Sequence, residues 1–426
     1  MKERQGHIPN DLDKRKSVFL GGQRTVIHLS ALPYFTVDAE RRAGMPSLRK
    51  SVQEFAKRGW RVLFVYPVDA PKNSYEEGGI EFFPIYLPLR NHHQRKSNST
   101  FWGRLRARLH AIAYIAIFPF KIWPLLSSTS FHLLYAHSAP AVVVGSVFRL
   151  VYKTPLVARL YGISSPDSLL GDVPFSLRRF YWDFYEILAL KVRANLYMIT
   201  DDGTRGQEVL LKYGLSNQGL VLRNGVDVPE RIQELPRVQL RRELGLHPEM
   251  HVITFVGRIE CWKRPDRILK VALESRAQKR PWTFVLVGDG RDKVLLENQS
   301  KQYHLGRTIR FVGAVAHEEV WKHLLVSDVF LSLHDLSSIS NTLLEALALD
   351  IPVVCSRKGE GIEELVIDGF SGYLVNEPDN AKAVIEAIDK GLRIPKSKIS
   401  RLVDLQAWED RLETEFSRIE DILIRH

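Results

Sequence analysis

Apolar residues along this chain come in short runs of four to eight, separated by stretches in which they recur every three to four positions. That pattern predicts buried strands interleaved with amphipathic helices. In the first half, "TVIHLSAL" reads as a strand, "SLRKSVQEFAKRG" as a helix stopped by Gly59, and "WRVLFVYP" as the next strand. The alternation continues through "IEFFPIYL", "HLLYAHS", a helix from Ala139, "TPLVARLYG", a helix across "FYWDFYEILALKVRA", and "NLYMITD". Strands apolar on both faces predict a mainly parallel sheet covered by helices on each side. A polar, proline-containing stretch at 224–250 breaks the rhythm and reads as a hinge. Winding then restarts through "HVITFVGRI", "TFVLVGDG", "IRFVGAV", "VFLSLH", "PVVCS" and "GYLV". The expected fold is α/β: two Rossmann-like, doubly wound domains over 1–228 and 229–407, facing a central cleft.

Length agrees, since 426 residues exceed what one hydrophobic core supports. Cys261 and Cys355 are the two cysteines and share no metal-ligand spacing, so neither a disulfide framework nor a zinc site is expected. With no apolar leader ahead of the first strand, the expectation is a cytoplasmic protein.

Charge is unevenly spread: residues 1–200 hold 28 Lys and Arg against 14 Asp and Glu, and residues 201–426 hold 32 against 35. No acidic residue occurs between Glu81 and Asp167, while Arg104, Arg106, Arg108, Lys121, Arg149 and Lys153 do. Such a face is either ordinary solvated surface or a site for an anionic partner. The adjoining "LHAIAYIAIFPFKIWPLL", 109–126, is broken by Pro119, Lys121 and Pro124, which argues against a membrane span. It reads either as a segment lying in an anionic membrane surface or as a buried helix. Nucleic acid is not an expected partner, because no aromatic stacking platform is interleaved with the charges.

Open parallel sheets bind ligands beyond the carboxyl ends of their strands, which directs attention to Gly44, His137, Asn224, Gly257, Arg258, Gly290, Asp335 and Ser337. "FVGRIECWKRPD" sets Arg258 and Lys263 just after a strand, where two cations either neutralise a diphosphate or remain solvated. No phosphate-binding glycine fingerprint follows a strand. A helix opening near Ser340 offers the free N–H groups of Asn341, Thr342 and Leu343 to an anion. One turn on, Glu345 sits in an otherwise apolar helix, as a reader of a vicinal diol or as a charge placed against the helix dipole. "TDD" at 200–202 reads as a strand-end turn rather than a metal-binding pair, and no metal or other cofactor is expected.

The motifs "RNGVD", "FVGRIECWKRPD", "FVLVGDG", "IRFVGAVAHEEVWKHLLVSDVFLSLHD", "SNTLLEALALDIPVV" and "GIEELVIDGFSGYLV" occur in that order. Together they resemble the donor domain of the retaining family 4 glycosyltransferases of GT-B architecture, from about Asn224 to Asn376. The resemblance implies transfer of a sugar from a UDP- or GDP-sugar to an acceptor; if Arg104, Arg106 and Arg108 with the apolar 109–126 segment form a membrane-surface patch, that acceptor is expected to be a lipid-linked saccharide at the inner face of a membrane. It implies that the tail 408–426 is a helix crossing back to the first domain. It further implies Arg258 and Lys263 on the diphosphate, Glu345 on the ribose, Ser340, Asn341 and Thr342 around phosphate and sugar, and Gly44 approaching from the first domain. Where the family usually carries a second glutamate, near the transferred sugar, this chain has Ser337; Asp335 is the expected substitute. A further departure is Tyr161 in place of the frequent histidine, leaving His137 as the nearest strand-tip imidazole, either catalytic or structural. Rival readings are a sugar-nucleotide epimerase of the same shape and a silent nucleotide-sugar-binding scaffold, the latter prompted by Ser337.

Overall fold

The computed structural model describes residues 22–31, 46–68, 70–87, 101–174, 176–397 and 399–426. Eight strands form the first sheet: β1 (Thr25–Ser30), β2 (Arg61–Val68), β3 (Tyr75–Glu77), β4 (Ile80–Tyr86), β5 (Leu133–His137), β6 (Leu156–Leu160), β7 (Leu196–Asp201) and β8 (Gly219–Arg223). Their order is β3-β4-β2-β1-β5-β6-β7-β8. All neighbours are parallel except the edge hairpin β3–β4, which the sequence pattern did not suggest because "YEE" is exposed throughout.

The second sheet holds β9 (His251–Val256), β10 (Trp282–Val287), β11 (Ile309–Gly313), β12 (Val329–Ser332), β13 (Val353–Ser356) and β14 (Gly372–Val375), ordered β11-β10-β9-β12-β13-β14. Both sheets are doubly wound α/β, as expected. Strand order reverses at β1/β5 in the first and at β9/β12 in the second, and a crevice opens beyond the carboxyl ends at such points. Everything chemical below lies near them.

Burial follows the doubly wound pattern. Val26, Ile27, Leu63, Phe64, Leu134, Tyr135, Val157 and Ala158 are fully or almost fully buried, so both sheet faces are covered. The helix Trp408–Ile424 returns to the first domain, placing the Phe416 ring 4.5 Å from Phe55. There Glu415 accepts hydrogen bonds from the Tyr135 hydroxyl (2.6 Å) and Ser51 (3.1 Å), and pairs with Arg411.

The segment that sequence left between two readings lies within one helix, Phe101–Ser127, which runs through Pro119 and Pro124. Ala113, Tyr114, Phe118, Ile122 and Leu126 recur at helical spacing and are buried. Ile112, Ile117, Phe120 and Trp123 are exposed on the other side, Phe120 by 79%. The helix Ala139–Tyr152 packs beside it and exposes Leu150 (71%) and Val151 (49%). Among the described residues no helix is long and apolar enough to cross a membrane.

Candidate functional site

The β9 tip is shaped by close backbone packing. A Cβ on Gly288 would lie 1.9 Å from the Gly257 carbonyl oxygen, and one on Gly290 would lie 2.2 Å from that of Ile259. Only glycine lets the "VGDG" turn press against the Gly257–Ile259 backbone, and this presses the β9 loop into place. Arg258 is held loosely there, exposed, with its guanidinium 5.5 Å from the Trp262 ring and 3.9 Å from Glu260.

Lys263 ends the 3₁₀ turn Cys261–Lys263 and is 8% exposed. Its ammonium donates to Nδ1 of His334 at 3.1 Å. Burial pulls the Lys263 pKa down to about 7, against the opposing pull of Asp202. His334, just past β12, is held well below the ordinary histidine range by burial and by Lys263. It is therefore neutral, accepts from Lys263 at Nδ1, and has Nε2 buried without a partner. A buried cation and a neighbouring buried, unpartnered N–H suit an anion brought up to them.

The helix Asn341–Ala348 begins on the same side. Ser340 caps it by accepting from the Leu343 N–H (3.3 Å), which corrects the expectation that this N–H is free. Asn341 and Thr342 remain the open positions of the first turn. Thr342 is fixed by a bond to the Val256 carbonyl (3.2 Å), and Asn224, just past β8, donates to the Asn341 side chain (2.7 Å). Glu345, 6% exposed, uses one oxygen to accept from Nε2 of His317 at 2.8 Å; its other oxygen, Oε2, is buried and has no partner. An orphaned carboxylate oxygen in an apolar wall costs free energy unless a donor arrives.

Asp335 is occupied. Arg264 (2.8 Å), Arg267 (2.7 Å) and Lys358 (3.0 Å) all reach its carboxylate. Burial would raise its pKa, but these bonds prevail and bring it down to about 2. Ser337, in the left-handed region at φ 55, instead donates to Oδ2 of Asp202 across the seam between domains (2.7 Å). His137 is fully buried at the end of β5, its two ring nitrogens against His28 (2.8 Å) and the Tyr161 hydroxyl (2.7 Å). Burial, with His28 and Arg159 nearby, keeps it neutral. Gly44 lies outside the described residues. The structure thus gathers Gly257, Lys263, Ser337, Ser340, Asn341, Thr342 and Glu345 around the β9/β12 crevice. It ties Asp335 into an ion cluster and sets His137 beneath the first sheet's crevice. Sequence reading passed over His317 and His334 and took Asp202 only as part of a strand-end turn; His334 and Asp202 both carried a local signal, their place just after a strand.

Among the described residues no cluster of His, Cys, Asp or Glu could hold a metal ion.

Residues 237–401 match the family described as glycosyl transferases group 1. A phosphatidylinositol N-acetylglucosaminyltransferase subunit from Arabidopsis thaliana is 25% identical over 51% of this chain and 52% of its own length. D-inositol 3-phosphate glycosyltransferase 2 of Catenulispora acidiphila is 27% identical over 62% of this chain and 64% of its own. The chain thus spans about half to two thirds of the length of these relatives. Among solved structures, sucrose-phosphate synthase of Thermosynechococcus elongatus superposes with a TM-score of 0.73 at 18% identity, covering 95% of this chain and all of that one. Anabaena HepE in complex with UDP and glucose gives 0.61 at 18% identity, with the same coverage. These similarities establish the fold.

Proposed function

We propose that the chain, whose residues 237–401 match the glycosyl transferases group 1 family, is a retaining glycosyltransferase that moves a sugar from a nucleoside diphosphate sugar to a lipid-linked saccharide. The observation that carries the donor half is the buried, unpartnered Oε2 of Glu345 on the helix whose start meets the end of β9, together with the buried Lys263 of the loop after β9. Glu345 Oε2 accepts a ribose hydroxyl, while Oε1 stays on His317. Lys263, Arg258 and the N–H groups of Asn341 and Thr342 hold the diphosphate. The bond from the anomeric carbon to the phosphate oxygen breaks with both electrons going to the diphosphate, and those cations and N–H groups stabilise the charge. The acceptor oxygen attaches on the same face, and its proton leaves to the departing phosphate. Asp335 orders the loop that ends at Ser340 rather than meeting the sugar, and His137 supports the floor of the first domain's crevice.

The acceptor half rests on the exposed side chains of Phe120, Trp123, Leu150 and Val151 within the acid-free stretch 82–166. Apolar side chains in a stretch rich in Lys and Arg and free of Asp and Glu fit an anionic bilayer surface, and a lipid-linked acceptor would be met there.

The test incubates the protein with UDP-, GDP- and ADP-sugars and a membrane lipid extract, follows release of the nucleoside diphosphate, and reads the anomeric configuration of the product by proton NMR. Release that depends on the lipid, with the donor's configuration kept, supports the reading. An inverted product overturns the retaining assignment, and no release from any donor overturns transferase activity.

A further inference from the structure

Asp202 stands just beyond β7, at the tip of a loop from the first domain that docks on the second. Ile339 N–H donates to the Asp202 carbonyl (3.1 Å) and Glu360 N–H to that of Gly203 (3.2 Å). Gly203 itself sits so close that a Cβ there would lie 2.7 Å from Ser338 Oγ. The Asp202 carboxylate lies flat against Gly162, where a Cβ would come within 2.5 Å of Oδ2. Its partners are the Thr204 hydroxyl (2.5 Å) and backbone N–H and the Ser337 hydroxyl (2.7 Å). No cation among the described residues lies within ion-pair distance, whereas Asp335 has three. Burial raises the Asp202 pKa, and the charge of Lys263 draws it back. A carboxylate with no ion-pair partner, kept beside the buried lysine of the anion site, keeps acceptor capacity for further hydroxyls.

We propose that Asp202 is a positioning carboxylate for the transferred sugar, supplied by the first domain across the seam to the place where Ser337 brings only a hydroxyl. This rests on the donor reading above. The distances support it: a glutamate carboxylate at 337 would end two bonds, about 2.4 Å, past the Ser337 Oγ position, and Asp202 Oδ2 lies 2.7 Å from that Oγ. Since each domain supplies one half of the pair, the carboxylate is in place only while the two domains are docked. Donor engagement and domain docking are then one event.

Calorimetry with UDP, GDP and ADP, and with UDP-glucose, GDP-mannose and ADP-glucose, tests this in wild type, Asp202→Asn, and the exchange Asp202→Ser with Ser337→Glu. Asp202→Asn removes a charge that favours protonated Lys263, so at pH 6 its affinity for the preferred nucleoside diphosphate should fall by no more than about threefold. Its affinity for sugar nucleotides should fall roughly ten- to a hundredfold, the worth of a charged hydrogen bond. The exchange should regain most of that loss. Equal losses for diphosphate and sugar nucleotide, or no loss, or an exchange that binds no better than Asp202→Asn, would overturn the proposal and leave the donor reading standing. Wild type binding none of the six would sink the donor reading, and this assignment with it.

Discussion

Lys263 and the pair His317–Glu345 carry pH dependences of opposite origin. Burial has lowered the Lys263 pKa to about 7, and a bound diphosphate raises it again. Nucleoside diphosphate affinity should therefore be highest below pH 7 and fall as pH climbs through 7 to the pKa of the bound state. Binding at pH 8 should take up close to one proton, measured as a dependence of calorimetric enthalpy on the buffer's ionisation heat; Lys263→Met should abolish that uptake. His317 moves the other way, raised by its bond to Glu345. A histidine raised in the folded state stabilises fully below its unfolded pKa of about 6.5 and loses that contribution as pH rises through the folded value. The melting temperature difference between wild type and His317→Gln should thus be larger at pH 6 than at pH 8.5. Local pattern exposed Glu345, because a charge in an apolar helix turn is visible in the letters around it. It hid His317, 28 residues earlier in the chain, because only the packing of its helix against the Asn341–Ala348 helix brings the two together. The pairing of Asp202 with Ser337 was hidden for the same reason, since the two are 135 residues apart.

Most strands and their tips were legible because the central strands of each sheet are buried on both faces, which writes continuous apolar runs into the sequence. The helix Phe101–Ser127 was only half legible. Its prolines argued for interruption, yet the helix continues through them, with one face in the core and the other exposed. That second face, with the Ala139–Tyr152 helix, is the proposed membrane surface. Phe120 and Leu150 are exposed enough for polar replacement to change folding stability by no more than about 0.5 kcal/mol. The double variant Phe120→Ser, Leu150→Ser should keep its melting temperature and nucleotide binding but sediment far less with phosphatidylglycerol vesicles at low salt. Equal sedimentation of the two proteins would mean that this face does not meet lipid.

The last helix ties the chain's end back to the first domain. Arg411 and Glu415 are both fully buried on the Trp408–Ile424 helix, and Glu415 also binds Tyr135 and Ser51 of the first domain. Burial drives the Arg411 pKa down to about 9, with Arg159 adding to it. Removing the carboxylate strands a buried guanidinium, so Glu415→Ala should cost about 3–5 kcal/mol by chemical denaturation. Replacing both residues by leucine should cost much less, since no buried charge is left unpaired. Glu415 could be placed on a returning helix from sequence, but not in this network, since its partners come from β5 and from the Pro46–Lys57 helix.

Whether the β9/β12 crevice binds a nucleoside diphosphate, with Glu345 on the ribose, is decided by calorimetric titration of UDP, GDP and ADP into wild type and Glu345→Ala at pH 6.5, alongside their 2′,3′-dideoxy counterparts. One nucleotide should bind wild type and lose roughly ten- to a hundredfold in affinity for Glu345→Ala, as expected for a charged hydrogen bond. Its dideoxy form, lacking the diol, should bind the two proteins alike. Failure of wild type to bind any of the three, or equal affinity of the hydroxylated nucleotide for both proteins, would contradict this assignment of the crevice.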